Sequence, residues 1–311
     1  MANPKLDETA AGVFIISATP FDDSGALDLD SADRMVEFYI EKGVSGITIL
    51  GVMGEAPKLA PDESEAFLTR VLQRTDGRVP VIVGVSNPGL DNLVRLARVS
   101  MDQGAAGVMV APPAGLGTDT KVYNYARQVF EALGDDVPVC YQDYPFLTKS
   151  ETSVPVFNRL VREYATLVML KHEEWPGLTK LTQVRETAVA EGLRRVSILT
   201  GNGGLYLPQE LARGADGAMT GFAYPEMLVE VVALHRAGDA DKAEDLFDAY
   251  LPLVKHEQQP GWGLALRKEV LHRRGVIRSP KVRAPGPSLG PVDHEELTRL
   301  IRRVERNLEA L

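Results

Sequence analysis

The sequence predicts an α/β fold, a (β/α)8 TIM barrel with a C-terminal helical appendage, on three observations. Eight short apolar runs recur along the chain, each is followed by a stretch of helical period, and the last part of the chain shows helical patterns only. The runs begin at Val13, Gly46, Pro80, Gly107, Val137, Leu167, Arg195 and Gly217, spaced as one βα unit after another. They lack polar alternation, as expected of parallel strands covered on both faces. Eight units over residues 1–236 give the barrel count. A doubly wound open sheet needs fewer strands, and no turn here carries the GxGxxG of a dinucleotide fold.

The helices follow from their end signals. The stretch after the first strand offers Asp30 or Ser31 as N-cap and Gly43 as C-cap. The next places Asp62 and Glu63 in its first turn, and the third carries Leu93, Leu96, Ala97 and Met101 before Gly104 ends it. Residues 237–311 read as three helices with a Pro- and Gly-rich connector from Ser279 to Pro291. They are expected to pack on the barrel as one structural unit with it.

Composition narrows the function. Among 311 residues, 44% are hydrophobic and 25% charged, which excludes a disordered or collagenous chain. Lys and Arg number 34 against 43 Asp and Glu, a net charge of −9 that argues against nucleic acid or an anionic membrane as partner. The single cysteine, Cys140, allows no internal disulfide and no all-cysteine metal site. It falls within strand five, where a buried structural thiol is expected. The first residues lack a signal-peptide pattern, and no apolar run approaches the roughly 18 residues that span a bilayer. A cytoplasmic protein is expected.

In such a barrel the reacting groups sit at the C-terminal ends of strands. Lys171 stands out there, because it ends the run Leu167–Leu170 with its stem beginning in the core. Burial favours a neutral amine, which condenses with a ketone to a Schiff base and makes C–C cleavage or proton loss feasible. The structural alternative is a lysine that snorkels to solvent or pairs with Glu173 or Glu174.

The order and spacing of the strand-end segments resemble the dihydrodipicolinate synthase / N-acetylneuraminate lyase superfamily of Schiff-base aldolases. The resemblance runs from roughly Phe14 to Arg274. Gly51-Val52-Met53-Gly54-Glu55 stands where the family has GTTGE, and Pro80–Val85 is similar to its PVIAGxG strand. Leu170-Lys171 stands where it has its lysine, Thr200-Gly201-Asn202 resembles its SGDD turn, and Gly214–Thr220, including Met219, its GGxGVIS. The resemblance implies that Lys171 forms the imine. It also implies substrate contacts from Val52, Met53, Gly54, Thr200, Gly201, Asn202 and Met219. It further implies no metal or nucleotide cofactor, a small-molecule carbonyl substrate, and a homodimer or homotetramer.

The departures matter as much. The family's Thr pair is Val52-Met53, its paired Tyr after strand four falls on Ala114-Gly115, and its strand-five motif aligns to Gln142–Thr148. The catalytic Tyr position is then Gln142 and the substrate-binding Arg position Leu147, although a one-residue shift would restore Tyr141. A Gln amide orients a substrate but transfers no proton. Protons must come from Tyr144, His172, Glu55, water or the substrate. Backbone N–H groups at Met53 and Gly54 are left as carboxylate donors.

Other candidates stay open. His172 is expected on the opposite face of its strand from Lys171. Asp143 could pair with Lys171 or tie down its own loop, and Trp175, Phe146 and Tyr224 could shape the pocket or simply pack. The glycines after Thr200 suit a phosphate or only a tight turn. The main reading is a lyase, aldolase or dehydratase, acting on a 2-oxo acid. The alternatives are dihydrodipicolinate synthase itself and a barrel that has lost catalysis and only binds or regulates.

Overall fold

The structure, a computed structural model, describes residues 5–311. Eight parallel strands close into a barrel in chain order: β1 (Gly12–Ile16), β2 (Gly46–Ile49), β3 (Val81–Gly84), β4 (Gly107–Val110), β5 (Val139–Asp143), β6 (Leu167–His172), β7 (Ser197–Thr200) and β8 (Gly217–Ala218). The helices between them are α1 (Leu29–Glu41), α2 (Pro61–Thr75), α3 (Leu90–Asp102), α4 (Asp119–Leu133), the single turn α5 (Pro145–Thr148), α6 (Val154–Glu163), α7 (Leu178–Ala190), α8 (Leu207–Ala212) and α9 (Pro225–Ala237). The chain ends in α10 (Ala240–Glu257), α11 (Gly263–Arg273) and α12 (Pro291–Leu308). None of the described helices is long and apolar enough to cross a membrane.

Period-two alternation divides the strand residues between two cores. Val13, Ile15, Val81, Val83, Tyr141 and Leu170 face the helices, in the large core. Phe14, Ile16, Ile82, Met109, Cys140, Met169, Leu199 and Met219 fill the barrel interior. The interior below the site is therefore packed, and burying side chains of this size contributes about 1.5–3 kcal/mol each. Cys140 belongs to this packing: its Sγ lies 3.8 Å from Met219 Sδ, and burial pushes the thiol up to about 12.

One helix start differs from expectation. Asp28, not Asp30 or Ser31, caps α1: its Oδ1 accepts the Ser31 N–H at 3.0 Å and its Oδ2 the Ser31 hydroxyl at 2.6 Å. Ser31 thus supports the cap from inside the first turn, a contact worth about 1 kcal/mol. Asp62 and Glu63 do occupy the first turn of α2.

The C-terminal helices are tied to the active face of the barrel. Lys268 of α11 is fully buried and donates to Glu55 Oε1 at 2.6 Å, while Glu55 Oε2 receives Lys58 Nζ at 2.9 Å and the Arg283 N–H at 3.0 Å. Glu55 sits at a φ of 53°, a left-handed conformation held by these contacts. It braces the loop after β2 and lies outside the cavity that holds Lys171.

Candidate active site

The mouth of the barrel holds a cavity of about 500 Å³, and Lys171 opens into it. Strand register explains the geometry. Lys171 pairs with Gln142 on β5 and Leu199 on β7, one step above the interior layer of Cys140 and Met169. Lys171 is 4% exposed, so its ammonium needs a partner. Glu173 supplies it, with Oε2 3.1 Å from Nζ. Two residues past Lys171, Glu173 has the same parity and turns to the same side. Its Oε2 also accepts the Gln142 amide N–H at 2.5 Å. A carboxylate so placed can take the proton that the amine must lose before attacking a carbonyl, and can exchange protons at atoms near the new imine.

Glycine makes room for this carboxylate. A Cβ on Gly201 would lie 2.1 Å from Glu173 Cγ, so only a residue without one fits there. Gly201 does not itself line the cavity, but Asn202 and Gly203 do. The Gly203 N–H donates to Thr220 Oγ1 at 2.7 Å, which binds the turn to the end of β8.

The remaining candidates fall as follows. Val52 and Met53 line the cavity, Val52 at 53% exposure; Gly54 does not, and its carbonyl accepts the Thr19 hydroxyl at 2.6 Å. Met219 lies below the cavity floor among the interior side chains, whereas Thr200 has the outward parity of Ile198 and His172 and turns toward Glu210 of α8, its hydroxyl 3.3 Å from the Gly217 carbonyl. Tyr144 lines the cavity. Burial and the Glu173 carboxylate push its phenol up to about 12 against the opposing pull of Arg267. It is a hydrogen-bond donor at neutral pH rather than a base.

Tyr141 faces away, its hydroxyl 2.8 Å from Thr152 Oγ1 in the outer core, whereas Gln142 lines the cavity. His172 also faces outward: its Nε2 lies 2.9 Å from the Gly177 carbonyl, and burial lowers its pKa. Asp143 pairs with Lys180 at 2.7 Å, not with Lys171, and Lys180 also contacts Glu174. Phe146 and Trp175 line the cavity, whereas Tyr224 packs in tilted contacts with Phe222 and Tyr250 and does not line it.

The C-terminal helices complete the site. Residues 257–261 together with Gly263, Leu264 and Arg267 form one wall of the cavity. Arg267 Nε donates to Glu257 Oε2 at 2.8 Å, and burial raises the pKa of Glu257 despite that contact. Nothing in the sequence pattern pointed to this wall. Glu173 was reachable from it, because the parity that turns His172 outward turns Glu173 inward. Among the described residues no group of three His, Cys, Asp or Glu is arranged to hold a metal ion.

A closed parallel barrel with a buried amine–carboxylate pair at its mouth has the fold and site of a lyase of the class I aldolase type. The chain belongs to the dihydrodipicolinate synthetase family, whose model matches residues 9–307. It is 31% identical to the L-2-keto-3-deoxyarabonate dehydratase of Azospirillum brasilense over 298 residues, 94% of each chain. It is 28% identical to a 4-hydroxy-tetrahydrodipicolinate synthase of Methanococcus maripaludis, over 78% of this chain and 82% of that protein. The crystal structure of a dihydrodipicolinate synthase from Rhodopseudomonas palustris superposes with a TM-score of 0.94 at 51% identity, covering 96% of this chain and 99% of that one.

Proposed function

We propose that this protein is a dehydratase of 3-deoxy-2-oxo sugar acids, working through an imine on Lys171 with Glu173 as its proton-transfer group. The observation that carries the reading is the Glu173 carboxylate 3.1 Å from Lys171 Nζ. Lys171 Nζ attacks the C2 carbonyl and water leaves, giving the iminium. C3 is then two bonds from Nζ, within reach of a carboxylate already beside that nitrogen. Glu173 takes a C3 proton, and the C–H electron pair forms the enamine. That pair next expels the C4 hydroxyl, which departs as water with the proton Glu173 has just accepted. Tautomerisation and hydrolysis of the imine release the product and restore the amine, for a net loss of one water.

Retro-aldol cleavage would need Glu173 to take its first proton from the C4 hydroxyl, four bonds from Nζ, whereas the C3 proton lies nearer, on an atom two bonds away. The relationship to the Azospirillum dehydratase supports the same choice. No metal or nucleotide takes part in this scheme, since the iminium itself is the electron sink.

The name of the Rhodopseudomonas relative favours a second reading, 4-hydroxy-tetrahydrodipicolinate synthesis. Gln142 and Leu147, where the resemblance places that enzyme's Tyr and Arg, count against it. We also propose a cytoplasmic homodimer or homotetramer. Pure monomer at micromolar concentration in sedimentation would contradict it.

The test is an assay of five- and six-carbon 3-deoxy-2-oxo acids for loss of water by mass spectrometry, beside pyruvate plus aspartate semialdehyde. Dehydration of at least one sugar acid is expected. Borohydride should trap the adduct on Lys171, and Lys171→Ala should abolish both. Activity retained in Lys171→Ala, or condensation activity alone, would overturn the reading.

A further inference from the structure

Four charged side chains line the cavity: Lys171, Glu173, Glu257 and Arg267. The scheme above uses the first two. Arg267 is 7% exposed, yet only its Nε has a strong acceptor, Glu257 Oε2 at 2.8 Å. Nη1 lies 2.8 Å from Met53 Sδ, a thioether and weak acceptor, and Nη2 donates to no group among the described residues. Arg267 lines the cavity and none of its nitrogens is a sealed, unpartnered atom, so its free donors face the cavity, where water or a ligand can take them. The loop it touches is also unspent, since the Met53 and Gly54 N–H groups donate to no carbonyl among the described residues.

We propose that Arg267 is a specificity-determining residue that binds a carboxylate of the substrate, with Glu257 as the positioning residue that fixes its fork through Nε. This rests on the Schiff-base reading. A planar pair of oxygens matches the fork of Nη1 and Nη2, and an oxyanion is the ligand that a cation with spare parallel donors selects. Lys171 cannot serve this purpose, because Glu173 already neutralises it and its nitrogen is used by the imine. The carboxylate is either the one adjoining the reacting carbonyl or a second one at the far end of the substrate.

The experiment compares wild type, Arg267→Lys and the double variant Arg267→Gln/Glu257→Gln, which leaves no lone buried charge. Borohydride-trapped adduct is titrated with pyruvate, 2-oxoglutarate and hydroxyacetone, and the two acids are also titrated by calorimetry. Losing a bidentate charged contact should raise half-saturation for an acid on the order of 10- to 100-fold. Hydroxyacetone, with no carboxylate, should be unaffected, which a merely structural role would not produce. Weakening of both acids assigns Arg267 to the carboxylate beside the carbonyl; weakening of 2-oxoglutarate alone assigns it to a distal one. An equal loss for hydroxyacetone, or unchanged acid binding, overturns the proposal. Calorimetry separates the two readings, because acid binding that depends on Arg267 without any trapped adduct would retain this inference while rejecting the imine.

Discussion

Replacing Glu173 by Gln preserves shape and removes the carboxylate from beside Lys171. At 3.1 Å the pair attracts by about 5 kcal/mol at an effective dielectric constant of about 20. Loss of that attraction favours the neutral amine, so imine formation should survive the substitution. The proton transfer at C3 should not, and a positioned general base is worth roughly 100- to 10,000-fold in rate. Pyruvate separates the two steps without knowledge of the natural substrate. Borohydride trapping reads the imine, and exchange of the methyl protons with D2O, followed by NMR, reads the enamine. The expected result is an adduct within a few-fold of wild type and exchange slowed by at least about 100-fold. Exchange within about threefold of wild type would refute the assignment of Glu173 as base, and joint loss of adduct and exchange would refute the separation of its roles.

Three further outcomes are expected. Gln142→Ala deletes one hydrogen bond to Glu173 and should slow turnover about tenfold, far less than Lys171→Ala, as measured by steady-state kinetics. Gly201→Ala puts a Cβ 2.1 Å from Glu173 Cγ, so activity should fall toward that of Glu173→Gln at a stability cost of about 1–3 kcal/mol, read by paired kinetics and melts. Glu210 on α8 is buried, with Oε2 unpartnered, and burial raises its carboxyl to about 8. The folded state then holds the extra proton between about pH 4.5 and 8, so its contribution is full below that window and is lost as pH rises through it. Glu210→Gln should remove this loss, gaining up to about 5 kcal/mol at pH 8 relative to pH 4.5 in denaturant titrations.

The barrel was legible because each strand announces itself twice, as a short apolar run and as the start of a helical period. The cap of α1 was less so, since Asp28, Asp30 and Ser31 all have cap-forming side chains and only tertiary placement selects Asp28. In the site, Lys171 could be read because an amine ending an apolar strand conflicts with its surroundings. Glu173 lay one parity step further and was read only as a possible ion-pair partner. Arg267 was beyond reach for a physical reason. Gly263 and every residue from Ala265 to Leu271 of α11 are buried, so the helix has no polar face from which a cavity-facing residue could be picked out.

That same partnership bears on whether the departures from the family pattern mark a dead barrel. A barrel that only binds has no reason to keep a buried ammonium and carboxylate, whose desolvation costs several kcal/mol per ion. Nor has it reason to keep a glycine whose missing Cβ is filled by that carboxylate, or an amide aimed at the same oxygen. These features depend on one another: Gly201 gives Glu173 its space, Gln142 holds its Oε2, and Glu173 neutralises Lys171. Restoring a phenol at position 142 would remove the amide that holds the carboxylate without rebuilding the hydroxyls missing at Val52 and Met53. Under the proposed function, proton transfer passes from the strand-five position to Glu173, just past the end of β6 and 3.1 Å from the lysine.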